Sequence, residues 1–378
     1  MSRPLALLFA SAFGSMVSFY LLLSVVPLYA ASIDAGDIGA GLATGALMFA
    51  TVAAELATPG LVARFGYRTV YAAGLVLLGA PALALTASAS LAVVLTVCAV
   101  RGIGLAIVVV VGSALVASLV PRERRGEGLG LLGVVVGVPS VVALPLGVWL
   151  AREVGYPPVF VAGALASVVC LAVVPGLPDR AADPGEESPF GILSGLRTPA
   201  LVRPALVLLA TAMATGVVVT FVPLVLPEST GDLAAWALFA QASSSTLSRW
   251  WAGHHGDRHG AHRLVLPGVL ATAAGVLALV LTGSPAAIVI GMTLLGAGFG
   301  MAQNATLAIM FDRVSPSGYD TVSALWNLAY DAGLGLGGAG FGVLASGTGY
   351  PAAFAVTAAV VLGALVPAWR DRKPEVST

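Results

Sequence analysis

Four ionisable residues stand well inside long apolar stretches: Glu55, Arg101, Arg249 and Asp331. A charge at the centre of a bilayer costs at least about 2.5–3.5 kcal/mol on insertion scales, so such groups persist mostly where they face protein or trapped water. A carboxyl shielded from water, with a cation near enough to modulate it, can take up and release a proton near neutral pH. Glu55 precedes Arg64 by nine positions, which at the helical rise puts it about 13 Å inward of that charged turn, and Arg249 stands equally far before Arg258. Asp331 lies about 16 Å into its helix if that helix begins near Asp320, and Arg101 about 15 Å into its own. The chemistry on offer is proton binding by Glu55, Asp331 or both, modulated by Arg101 and Arg249. A permanent ion pair that fixes helix packing is the competing reading.

Cargo binding needs apolar walls and a few placed polar groups. The candidates are Phe19, Tyr20, Gln241, Gln303, Asn304, Trp326, Asn327 and Tyr330, all within apolar segments. Gln303-Asn304 and Trp326-Asn327 are the more informative pairs, because amides are costly in lipid and rare in this chain. Hydrogen bonds between helices compete as their explanation. His254, His255, His259 and His262 cluster in a charged turn, where they are read as polar surface and no metal is expected. No phosphate-cradling Gly-x-x-x-x-Gly-Lys and no zinc-protease helix is present, so neither an enzyme nor an ATP-driven machine is expected. The expected cofactor set is empty, with a proton gradient as energy source. Cys98 and Cys170 fall in apolar runs and read as packing residues, with a disulfide or metal pair as the minor alternative.

The elements that position these residues follow from composition. Of 378 residues 58% are hydrophobic and 10% charged, too few polar side chains to cover a soluble protein, so lipid is the expected solvent. A span needs about 20 apolar residues. Twelve such runs are predicted, near 4–31, 38–62, 69–88, 91–119, 128–150, 157–177, 202–226, 234–253, 264–282, 285–310, 321–346 and 351–369. The first is too long for a cleaved signal peptide and is kept as a helix. With an even helix count, Arg3, Arg64, Arg68, Arg122, Arg124, Arg125, Arg180, Arg197, Arg203, Arg258, Arg263, Arg313, Arg370, Arg372 and Lys373 fall on one side. That side, with both termini, is expected to be cytoplasmic. The opposite loops hold Arg152 and the acids Asp34, Asp37, Glu228 and Asp232. A formal net charge of zero, with the basic residues segregated in this way, leaves no surface suited to nucleic acid. Arg outnumbers Lys seventeen to one, which suggests a GC-rich bacterial genome and hence the bacterial cytoplasmic membrane.

Residues 178–203 have the Pro, Gly and charge content of a cytoplasmic linker, with a short interfacial helix expected at 189–196. The expected organisation is a six-helix bundle over 1–177, a linker over 178–201, a second bundle over 202–369 and a tail over 370–378. A shift of 194 residues aligns Arg64-Phe65-Gly66 with Arg258-His259-Gly260 and Glu55 with Arg249. A shift of 195 brings Pro121 onto Pro316. Internal repeats of this kind are a common construction of secondary transporters.

Gly253-His254-His255-Gly256-Asp257-Arg258-His259-Gly260, followed by Arg263, resembles the loop signature Gly-x-x-x-Asp-Arg-x-Gly of major facilitator transporters. The first-half counterpart retains Arg64, Gly66 and Arg68 but carries Ala63 where the family usually has Asp. Arg101-Gly102-Ile103-Gly104 resembles the family's intramembrane Arg motif without its frequent Gln. Gly133, Gly137 and Pro139, followed by Pro145 and Gly147, resemble the Gly/Pro motif of proton-coupled antiporters. The resemblance implies an all-α membrane protein of twelve helices in two pseudo-symmetric six-helix bundles. It implies gating by Arg64, Gly66, Arg68, Gly253, Asp257, Arg258, Gly260, Arg263, Gly133, Gly137 and Pro139, where a merely topogenic basic loop is the plainer reading. It also implies that helices 2 and 11 are neighbours, which would bring Glu55 near Asp331. The function expected is proton-coupled efflux of a small organic compound, such as a drug or secondary metabolite, by a monomer working in alternating access. Import of a sugar, amino acid or other nutrient by proton symport, or a receptor that has lost transport, are the alternatives.

Overall fold

The computed structural model describes residues 2–120, 125–179, 192–226, 230–315 and 318–371, and these form helices joined by short turns, with no strand among the described residues. Twelve long helical segments are present among the described residues. In the first half they are α1 (Arg3–Ile33), α2 (Gly36–Phe65), α3 (Tyr67–Thr86), α4 (Leu91–Leu119), α5 (Arg125–Val154) and α6 (Tyr156–Gly176). In the second they are α7 (Pro199–Val225), α8 (Leu233–His259), α9 (His262–Ala278), α10 (Pro285–Asp312), α11 (Tyr319–Thr348) and α12 (Tyr350–Arg370). The chain divides into two compact units, Met1–Gly185 and Glu186–Thr378. The Pro121/Pro316 correspondence, the linker residues 180–191, Glu228, the basic residues Arg122, Arg124, Arg180, Arg372 and Lys373, and the tail from 372 onward lie outside the described residues. A short helix, Ile192–Leu196, stands at the end of the expected interfacial helix, and α7 begins at Pro199, three residues before the expected start.

Ten of these segments are long and apolar enough to cross a membrane. The two exceptions have different causes. The helix α9 spans 17 residues, shorter than a full crossing, and α8 is long but carries Ser243 to Thr246, Ser248, Arg249 and the charged run to His259. The expected 234–253 span is therefore too short at its far end: α8 continues to His259, so Gly253 to Arg258 form helical turns and only Gly260 makes the bend. Ring pairs one turn apart accompany the extension, Trp250 with His254 at 4.8 Å, Trp251 with His255 at 4.7 Å and His255 with His259 at 4.3 Å. In the same way α2 runs through Pro59 to Phe65, so Arg64 is helical.

Hairpins within each unit turn on single glycines. Gly66 (φ 79°), Gly155 (φ 83°), Gly260 (φ 89°) and Gly349 (φ 78°) end α2, α5, α8 and α11, and the next helix starts within two residues. A positive φ suits glycine because any Cβ there is strained. Such tight turns leave little unpaired backbone to shield from lipid. Both pairs, 66 with 260 and 155 with 349, are separated by the 194-residue shift, and Gly155-Tyr156-Pro157 recurs as Gly349-Tyr350-Pro351.

The helix contacts repeat at the same interval. A Cβ on Gly102 of α4 would fall on the carbonyl oxygen of Leu47 in α2, and one on Gly296 of α10 would fall on that of Gln241 in α8. A Cβ on Gly104 would meet Leu78 N and Gly74 O of α3, and one on Gly298 would meet Thr272 N and Gly268 O of α9. Every member of one set is 194 residues from its partner in the other. Small residues permit this close approach where apolar burial gives no drive, because lipid is as apolar as the helices. Outward positions are correspondingly apolar, among them Leu83, Leu165, Leu281 and Val343, while Arg101, Thr51, Thr272 and Gln303 are buried.

Candidate functional site

In the first unit Arg101 is 1% exposed and reaches two other helices. Its Nε donates to Leu78 O of α3 at 2.9 Å and its Nη2 to Ser18 O of α1 at 3.2 Å. Leu78 sits just before α3 tightens to 3₁₀ geometry at Ala80-Pro81, the kind of irregularity that leaves carbonyls available to a side chain. Among the described residues Arg101 makes no ion pair. The motif around it is a junction: Arg101 ties α1 and α3 to α4, Gly102 admits α2, and Gly104 admits α3. Thr51 Oγ1 donates to Gly102 O at 3.1 Å, and Glu55, one turn further along α2, is half-buried. On α1, Phe19 is buried with its ring 4.8 Å from that of Tyr20.

Arg64 is exposed with its guanidinium 5.1 Å over the Phe65 ring. Gly66 and the start of α3 are held against the end of α6: Tyr67 N donates to Asp179 O at 3.2 Å, and Arg68 Nε donates to Leu177 O. Asp179 reads in the sequence only as linker, and nothing in its spacing marks this contact. Within α5, Gly133 has nothing within reach of an added Cβ, whereas Pro139 and Pro145 are buried inside the helix. Gly137 is buried too. The close-packing residue of this motif is Gly147, where a Cβ would fall on Leu21 O of α1.

The second unit gathers most of the amides and aromatics. Arg249 of α8 is half-buried, and its Nη1 donates to Gln303 Oε1 of α10 at 3.5 Å. Asn304 Nδ2 lies 3.4 Å from where a Gly253 Cβ would stand. Gln303 is 5% exposed. One turn beyond it, Thr306 Oγ1 accepts from Trp326 Nε1 of α11 at 3.2 Å. Trp326 stacks on Tyr330 with centroids 5.9 Å apart and planes 6° from parallel, and Tyr330 stacks on Phe299 at 6.0 Å. Asn327 is half-buried, and Asp331, the next residue after Tyr330, is 8% exposed. Gln241 is buried one helix over from Gly296 and stands apart from this group along α8. Thr306 escapes a reading based on rare residue types, but its i+3 spacing from Gln303 puts both on one helix face. Asp257, Arg258 and Arg263 are exposed and, among the described residues, make no ion pair.

The resulting arrangement has two parts. The first unit holds a dry cation bonded to backbone carbonyls, and the second presents a guanidinium, amides and a stacked aromatic wall beside a buried carboxyl.

The family model described as the Major Facilitator Superfamily matches residues 8–231 and, a second time, residues 204–378. No curated protein matches the sequence. Among solved structures, the partially occluded inward-open xylose transporter XylE from E. coli superposes with a TM-score of 0.79 at 13% identity, covering 100% of both chains. A bacterial homolog of the human lysosomal transporter Spinster, inward-facing and occupied, gives 0.77 at 16% identity with 100% of both chains covered. The nucleoside transporter NupG gives 0.75 at 14% identity, covering 99% of this chain and 100% of the other. At these identities the likeness is one of fold. The twofold match of the family model, falling on two helical units of repeated internal geometry, shows that this chain is a multi-pass membrane protein and secondary transporter, not an enzyme, and belongs to the Major Facilitator Superfamily.

Proposed function

We propose that the protein is a proton-coupled exporter of a small organic compound in a bacterial cytoplasmic membrane, working as a monomer by alternating access. The observation that carries the coupling is the position of Asp331: a carboxyl 8% exposed, next in sequence to the Tyr330 of the stacked wall. Proton binding there and cargo binding on the wall act on the same turn of α11, so each ligand changes the other's affinity by the same factor. Glu55, half-buried within α2, is the second proton site, with Arg101 as the modulating cation in the first unit and Arg249 in the second. The proposed cargo-binding residues are Phe19 and Tyr20 in the first unit and Gln241, Gln303, Asn304, Trp326, Asn327 and Tyr330 in the second. The glycine-ended turns with Arg64, Arg68, Asp257, Arg258 and Arg263 act as gates, with Gly133, Gly137 and Pro139 flexing α5. Export is supported by the resemblance of the α5 motif to that of antiporters.

The test is transport by proteoliposomes under an imposed pH gradient, with lumenal pH followed as a panel of amphipathic compounds is added. Glu55→Gln and Asp331→Asn are expected to abolish gradient-driven flux while leaving gradient-independent exchange. Flux that survives both substitutions with unchanged pH dependence would overturn the coupling assignment. The likeness to xylose and nucleoside transporters favours a second reading, proton symport of a polar nutrient. The direction of proton movement on cargo addition separates the two, since antiport moves protons against the cargo and symport with it.

A further inference from the structure

Arg249 is a half-buried cation within α8, and among the described residues it makes no ion pair. Its one hydrogen bond among them is the 3.5 Å contact to the neutral oxygen of Gln303. A guanidinium carries five N–H donors in a planar fork that matches a carboxylate bidentately. A long bond to an amide leaves most of that capacity unused. An unpaired cation at this depth is costly, and a ligand that brings its own anion removes the cost.

The surroundings narrow that ligand. Gln303 joins Arg249 to α10; Thr306 follows on the same face, and its hydroxyl holds the Trp326 indole. Trp326 and Tyr330 are half-buried and nearly parallel, with the buried Phe299 behind Tyr330. Gln303 and Thr306 are helical neighbours three apart on one face of α10, so the groups they hold, the Arg249 guanidinium and the Trp326 indole, are reached from the same turn of that helix. A planar acid with its ring beside its carboxylate suits that pairing. A single guanidinium flanked by neutral amides suits one negative charge, whereas a phosphate dianion calls for further cations.

We infer that Arg249 and Gln303 receive the carboxylate of an aromatic monocarboxylic acid whose ring lies against Trp326 and Tyr330. The inference rests on the transport reading above and names its cargo class. Gln303 Oε1 holds the guanidinium at long range; the acid takes the fork in two shorter bonds, leaving the Gln303 amide N–H to donate to it.

Calorimetric titration of the full chain in nanodiscs, without a pH gradient, tests this with 2-naphthoate and indole-3-acetate against 2-naphthamide and indole-3-acetamide. The acids are expected to bind at least about tenfold more tightly than their amides. Arg249→Gln should erase the ratio, and Arg249→Lys should keep part of it. Gln303→Glu is nearly isosteric and places a built-in carboxylate on Arg249; it should erase the ratio too, in a protein that remains monodisperse. Trp326→Phe should weaken acid and amide alike. The inference is overturned if no acid binds more tightly than its amide, or if Arg249→Gln and Gln303→Glu leave the ratio intact. Its failure is distinct from failure of the transport reading. Proton-coupled flux of a neutral or cationic compound by a protein that binds each acid no more tightly than its amide would refute the acid and keep the transporter. Acid binding without proton movement would do the reverse.

Discussion

Gly102→Ala adds a single methyl group at the α2–α4 contact, and the structure sets its effect. The new Cβ would fall on the Leu47 carbonyl oxygen, with Leu47 C at 3.0 Å and Ala50 Cβ at 3.1 Å, all inside ordinary contact at about 3.5–4.0 Å. Relief requires α2 to withdraw by about 1 Å, which carries the Thr51 hydroxyl, now 3.1 Å from Gly102 O, beyond hydrogen-bond range. Overpacking costs about 1–3 kcal/mol and the lost bond about 1 kcal/mol, offset by up to about 1 kcal/mol from the better helix former. The net expectation is a loss of about 1–3 kcal/mol. Gly296→Ala should lose a similar amount, since its Cβ would meet Gln241 O and Ser244 Oγ. Gly133→Ala is the control: nothing lies within 4 Å, so it should be neutral or slightly stabilising. Unfolding of the purified variants in one detergent, by heat or by titrated SDS, measures all three. Equal stability of Gly102→Ala, Gly296→Ala and Gly133→Ala would refute the claim that these glycines set helix approach. Because Glu55 lies one turn from Thr51, Gly102→Ala should also depress gradient-driven transport beyond its effect on protein yield.

Three further outcomes follow from the geometry. Arg101→Lys cannot keep donors on both Leu78 O and Ser18 O, and is expected to lose about 1.5–3 kcal/mol in the same unfolding assay; wild-type stability would show that the fork is dispensable. Asp371→Asn removes the charge from a two-bond pair with Arg313, 2.9 Å for each bond, at side chains 27% and 12% exposed; the expected loss is about 1 kcal/mol, shrinking as salt is raised. Gly349→Ala meets no neighbouring atom, so any loss reports the backbone alone; about 1–3 kcal/mol is expected at φ 78° and ψ 161°, and no change would show that the turn relaxes freely.

Periodic and compositional features were legible in the sequence. The 194-residue interval seen in Arg64 and Arg258 also relates the helix contacts of Gly102 and Gly104 to those of Gly296 and Gly298. Hydropathy marked the segments, but it misjudged the end of α8, because a helix can outlast its apolar stretch where i,i+4 ring pairs such as His255 with His259 continue it. The repeated Gly-Tyr-Pro at 155–157 and 349–351 was present to be read and marks two hairpin turns. The partners of individual side chains were not readable. That Arg101 would bond backbone carbonyls, or Trp326 the hydroxyl of Thr306, depends on how helices distant in sequence rotate about their axes, and no residue type encodes that alone.

The matched glycines carry a further consequence. At the positions where the two units agree most closely, what they share is empty space: Gly102 and Gly296 have the same clearance for a passing carbonyl, while the residue before each is arginine in one unit and leucine in the other. What the two units share is a set of backbone clearances, and the side chains placed between them differ. A scaffold specified by what is missing leaves its remaining side chains free to change, so a chain of this design could acquire a new cargo without altering how its helices meet.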